Sequence, residues 1–82
     1  MTEYFEMRDR NFNTRHIEVV FDHDTNSFVA AIRSGRYHRM MDGSMRQMVT
    51  ATGESADGSA EAAAKAMAEL QDTEDRHANQ VK

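Results

Sequence analysis

Over 16–22 and again over 28–33 the chain sets an apolar side chain at every second position, and few local structures tolerate that period. Ile17, Val19 and Phe21 alternate with Glu18, Val20 and Asp22; Phe28, Ala30 and Ile32 alternate with Val29, Ala31 and Arg33. Successive side chains point to opposite sides in an extended strand, so each run reads as a strand with one buried face. Asp24-Thr25-Asn26 lies between them with turn chemistry, Asn26 tolerating positive φ. The pair is a β-hairpin. Ser34-Gly35 supplies the next break, and Tyr37–Met41 reads as a third strand. Asp42-Gly43 is a tight-hairpin signal, and a fourth strand runs over 45–52. On that strand Met45, Gln47, Val49 and Ala51 share one face, and Arg46, Met48 and Thr50 the other.

The second half changes period. Gly53–Gly58 is a polar connection, and Ser59 is placed to cap a helix, with Glu61 meeting the positive end of its dipole. From Ala60 to Arg76 there is no Gly or Pro and alanine dominates, so helix propensity is high. Ala60, Ala63, Ala64, Met67 and Leu70 form the expected apolar stripe. The predicted class is α+β in two layers: an antiparallel sheet of about four strands, β-β-β-β-α, with one C-terminal Ala-rich helix on one face. Residues 16–76 make the single domain; 1–15 form an N-terminal arm, weakly structured or an extra strand, and 77–82 a frayed tail.

A chain of 82 residues has room for one domain, and its hydrophobic content of 39% is below the roughly 45–50% of ordinary globular chains. Small domains bury a low share of their surface, so a second copy is expected to supply burial. One helix covers one sheet face, which leaves Val20, Val29, Ala31, Met40 and Met48 as the expected apolar surface for a partner or a homodimer. The competing expectation is that Tyr4, Phe5, Met7 and Phe12 of the arm fold back over that face.

Charge is unevenly spread. The net −4 lies wholly in 47–82, while Arg33, Arg36, Arg39 and Arg46 oppose only Asp42 and make a local +3 beside His38. The absence of cysteine excludes disulfides and Cys-based zinc sites and fits a cytoplasmic setting. The acidic start lacks the basic region of a secretory signal, and the longest apolar run, Phe28–Ile32, is far short of the roughly 20 residues that cross a bilayer. Membrane association is not expected.

Chemistry-bearing groups are sparse. Asp22-His23-Asp24 with His16 is the strongest metal candidate, but positions 16 and 23 differ by an odd number and fall on opposite strand faces. Gly53 and Gly58 carry no following lysine of a phosphate loop. The expectation is therefore no catalytic residues, no metal and no cofactor.

The stretch Thr52–Leu70, Thr-Gly-Glu-Ser-Ala-Asp-Gly-Ser-Ala-Glu-Ala-Ala-Ala-Lys-Ala-Met-Ala-Glu-Leu, resembles the closing strand and helix of a double-stranded RNA-binding domain. That family sets two lysines directly after the serine to grip phosphate. Here Ser55 is followed by Ala56 and Asp57, so the RNA-gripping element is absent and its activity does not carry over. The same stretch is similar to the sheet-to-helix junction of HicB-type antitoxins.

The expected function is a non-catalytic protein-binding module, a small inhibitor or regulator of a larger host complex. In general character it is like the anti-CRISPR and antitoxin proteins of phages and mobile elements. In this reading Glu61, Glu69, Asp72, Glu74 and Asp75 form an acidic helix face for a basic, nucleic-acid-handling partner. The alternative is a nucleic-acid-binding regulator using the hairpin 33–46. Arg33, Arg36, Tyr37, His38, Arg39 and Arg46 would then hold phosphates and stack on bases.

Overall fold

The structure, a computed structural model, describes residues 2–80. Four strands, β1 (Thr2–Arg8), β2 (Thr14–Asp22), β3 (Ser27–Arg39) and β4 (Met45–Ser55), precede one helix, α1 (Ser59–Gln80). The strands form one open antiparallel sheet in the order β1-β2-β3-β4. The α+β class expected from the sequence is the one observed. No helix among the described residues is long and apolar enough to cross a membrane.

The four strands are not quite the four expected. Residues 2–8 pair with β2, Phe5 opposite Ile17, and make an edge strand. The break expected at Ser34-Gly35 is absent, and β3 runs straight through it. A register shift between Arg33 and Tyr37 takes up the irregularity, so two expected strands are one. Helix α1 continues through 77–80, while 81 and 82 of the expected tail, and Met1 of the arm, lie outside the described residues.

The period-two residues behave as their spacing requires. Ile17, Val19, Ala30 and Ile32 are buried under the helix with Ala51, and Phe5, Met7 and Phe28 pack at the margin of this core. The helix contributes Ala62, Ala63, Ala66 and Leu70, with Met67 half-buried. This corrects the expected stripe, because Ala60 and Ala64 are exposed. Alanine at 60, 62, 63, 64, 66 and 68 surrounds the helix with methyl groups, so alanine spacing alone cannot select a face. Gly53 selects it. A Cβ there would run into the backbone of Ala62, Lys65 and Ala66, so the helix is seated in the notch this glycine leaves in β4.

Because β1 lies beside β2 in the sheet, it covers neither face, and the fold-back expectation fails. The reverse face is also less apolar than its alternation implies. One row reads Thr2, Val20, Val29, Glu54 across the sheet, and the next Tyr4, Glu18, Ala31, Thr52. Val20 is exposed, Val29 and Ala31 are half-buried, and polar groups flank them.

Candidate functional site

Strand β3 outruns its neighbour. Its pairing with β2 ends at Ile32 opposite Ile17, whereas its pairing with β4 continues to Arg39 opposite Met45. The stretch from 33 to 49 is therefore a two-stranded ribbon that leaves the body at the end where the β1–β2 turn also lies. At about 3.4 Å per residue the ribbon reaches about 14 Å, the length of its β4 arm from Val49 to Met45, because the register shift takes up the extra residues of β3. The radius of gyration is 13.8 Å, against about 12 Å for a compact chain of this length.

The tip is built by the Asp42-Gly43 pair, as its chemistry predicts. The Gly43 N–H donates to the Met40 carbonyl at 3.0 Å, and the Met40 N–H donates to the Ser44 carbonyl at 2.8 Å. Gly43 occupies the left-handed region at φ 86°. The Ser44 hydroxyl donates to Asp42 Oδ1 at 2.6 Å and its backbone N–H at 2.9 Å. These two bonds, the hydroxyl's first, outweigh the effect of desolvation and hold the Asp42 carboxyl below its ordinary range.

Most of the exposed large apolar side chains gather on this ribbon. Tyr37 is 63% exposed, Met45 55% and Met48 48%; Met40 and Val49 are exposed as well, and Met41 stands fully in solvent at the tip. The cations stand among them. Among the described residues no hydrogen bond or ion pair engages the guanidinium of Arg36, Arg39 or Arg46, while Arg33 reaches Glu18 on β2 at 3.3 Å. His38 lies opposite Arg46 and Tyr37 opposite Gln47. Cross-strand partners share a face. His38 and Arg46 therefore line one side of the ribbon, and Tyr37, Arg39, Met45 and Gln47 the other, while Arg36 lies in the register shift.

The expected faces of β4 are divided by an irregularity. Thr50 is the extra residue between the pairs Ile32–Ala51 and Arg33–Val49. Ala51 faces the helix, but Val49 and Gln47 pair on the opposite side. Met40 and Met48 accordingly lie in the ribbon and its turn, apart from Val20, Val29 and Ala31. The structure does not gather those five into one surface.

The acidic helix residues are differently placed. Glu74 accepts from Arg15 at 3.1 Å, Asp75 pairs with Arg10 at 3.0 Å, and Asp72 with Arg76 at 3.5 Å. Glu69 accepts from the Thr52 N–H at 3.1 Å, which blunts the free edge of β4. Glu61 accepts from the Ser55 hydroxyl at 3.1 Å. All five carboxylates have a partner within the chain.

The turn between β1 and β2 was poorly legible in sequence. Asp9 is buried, and its carboxylate collects the N–H groups of Asn11 and Asn13, each at 2.9 Å, and Nε of Arg15 at 3.0 Å. Burial opposes its ionisation, but the Asn13, Arg15 and Asn11 bonds prevail and keep its pKa lowered. The turn displays Phe12, 78% exposed and at φ 64°. A bulky residue is uncommon in that conformation.

Two shallow hollows flank the root of the ribbon. One of 470 Å³ on the reverse face is bordered by Tyr4, His16, Glu18, Arg33 and Gln47. The other, of 450 Å³ beneath the helix end, is bordered by Arg15, Thr50, Leu70 and His77. The histidines of the metal candidate have separate neighbours: His16 faces Glu6 at 3.6 Å, and His23 stands edge-on to Phe21. Comparison with protein-family models, curated proteins and solved structures finds no match.

Proposed function

We propose that this chain is a non-catalytic binding module that works by occupying a larger partner, and that the ribbon 33–49 is its contact surface. One observation carries the reading. Arg36, Arg39, Arg46, Tyr37, Met41, Met45 and Met48 are held out in solvent by a ribbon to which the helix-covered core contributes nothing. Ordering long side chains and exposing thioethers confers no stability on the fold. A surface that combines arginines, an aromatic and methionines has the composition of an interface centre.

The acidic helix face is less well suited to that role. Its carboxylates already satisfy Arg10, Arg15, Arg76, Ser55 and Thr52, and a basic partner would have to displace those contacts. The reverse sheet face offers Val20, Val29 and Ala31 with exposed Tyr4, in rows broken by Thr2, Glu18, Thr52 and Glu54.

The test is photo-cross-linking in cells that express the protein. A cross-linking side chain at position 41 or 45 is expected to give a discrete adduct that disappears in the Arg36→Ala/Arg39→Ala variant. The same side chain at Lys65 or Arg76 is expected to give none. Adducts from the helix positions with none from the ribbon would overturn the assignment.

A further inference from the structure

We propose that the partner of the ribbon is duplex DNA, gripped by its phosphates with the ribbon seated in the major groove. The inference rests on the ribbon being the contact surface and adds the class of partner.

Charge is the first argument. Arg33, Arg36, Arg39 and Arg46 against Asp42 give the ribbon region +3 within a chain of net −4, so the remainder carries −7. A polyanion is attracted to one end of such a molecule and repelled by the rest, which fixes the orientation of approach. The guanidiniums of Arg36, Arg39 and Arg46 are free to make charge-assisted bonds to phosphate.

Shape is the second. The B-form major groove, about 12 Å wide, admits a two-stranded ribbon, whereas the A-form major groove is too narrow and deep for side chains to read. The strands of the ribbon lie about 4.8 Å apart, and side chains on both faces fill the remaining width. Arg46 extends from one face and Arg39 from the other, so a seated ribbon presents cations to both walls of the groove.

Chemistry is the third. Arginine pairs with guanine O6 and N7, glutamine with adenine N6 and N7, and apolar side chains meet the thymine methyl. Gln47 and Tyr37 face each other across the ribbon, and Met41 is at its tip. The body stays out of the groove, because Glu18 and Glu54 on the reverse face and Glu61, Glu69 and Asp72 on the helix would be pressed against phosphate.

The experiment is fluorescence anisotropy of the full chain with a labelled 20-base-pair DNA duplex, titrated at several salt concentrations. Three phosphate contacts predict a slope of log affinity on log salt of about −2.7, a roughly 40-fold loss between 50 and 200 mM. The Arg36→Ala/Arg39→Ala variant is expected to lose about two units of that slope and at least tenfold in affinity at low salt. Arg36→Lys/Arg39→Lys is expected to keep the slope, and Arg10→Ala and Arg76→Ala are expected to leave it unchanged. Circular dichroism confirms that each variant is folded. Guanine N7 in the bound duplex is expected to be protected from methylation.

Failure to bind duplex DNA at 50 mM salt overturns the proposal, as does affinity indifferent to salt. Equal affinity for an A-form RNA duplex, single-stranded DNA or polyglutamate overturns it too. If duplex DNA is not bound while the adduct at position 41 persists, the partner class is wrong and the ribbon remains the contact surface. If that adduct is missing as well, both readings fall.

Discussion

The body and the ribbon of this molecule are made from the same strands and obey different constraints. In the body β3 has β2 on one side, β4 on the other and α1 above it, and its inward residues Ala30 and Ile32 are at most 1% exposed. A few residues later, past Arg33, the same strand has only β4 beside it, and 35–39 are all exposed. Side chains in the first region are selected by the space left for them, down to a glycine where a helix backbone must pass. Those in the second face no such selection, and yet they are large, cationic and apolar. The contrast separates residues that hold the fold from residues that the fold holds out for something else.

The comparison breaks most readily in the body. Ile32→Ala, or Ile17→Ala opposite it, removes a side chain from a core whose largest fully buried members are Ile17, Ile32 and Val19. Such truncations cost about 2–5 kcal/mol, and the upper half of that range is expected here because so few large side chains share the burial. Urea denaturation measures it. Gly53→Ala is expected to cost about 2–3 kcal/mol, an overpacking penalty, since the backbone of Ala62 and Ala66 must retreat from β4. A Gly53→Ala protein as stable as the parent would show that the helix is not seated on that glycine.

How far the sequence reveals this follows from the same division. Alternation at Ile17, Val19, Phe21, Phe28, Ala30 and Ile32 is imposed by a helix on one side and solvent on the other, so the central hairpin and its buried face were readable. Asp42-Gly43 was readable because a left-handed turn position restricts residue choice. Ser34-Gly35 misled, since a ribbon lacking a β2 neighbour accommodates a register shift that a central strand would resist. The edge strand β1 was obscured by its charged outer face, with only Phe5 and Met7 reaching the core. The helix face could not be read from alanines that surround the helix. At the candidate site the arginines were visible as a charge cluster, but their freedom depends on where β2 stops pairing, a long-range property.

Acid loosens both turns, and only one of them is tied to the helix. Asp9 ties the β1–β2 turn to Arg15, and through Arg15 to Glu74 on the helix. Because its native pKa is lowered, its contribution is present above the ordinary value of 3.8 and is lost as pH falls below that toward the native pKa. A falling Tm over that window is expected in the parent, and Asp9→Asn should flatten that part of the curve. Asp42 is lowered too, by its bonds from Ser44, so its contribution is likewise lost as pH falls below 3.8 toward its native pKa, and Asp42→Asn should flatten its own share of the acid limb. Gly43→Ala, forced into the left-handed region at φ 86°, costs about 1 kcal/mol locally. That cost is expected as faster amide exchange from 40 to 45 and as a matching loss of at most about 1 kcal/mol in global stability.

The smallest expected effects are in the ribbon, and they test the division most directly. Met41→Ser, Tyr37→Ala, Arg36→Ala and Arg39→Ala remove side chains that touch little of the body, so each should change unfolding free energy by less than about 0.5 kcal/mol. Amide exchange supplies the second reading. Protons of β3 from 28 to 32 should exchange only through global unfolding, whereas those from 36 to 39 should exchange through local opening of a two-stranded pair. If any of the four substitutions destabilised the chain like a core truncation, the ribbon would be a structural element of the body. Its exposed arginines and methionines would then need no partner to explain them.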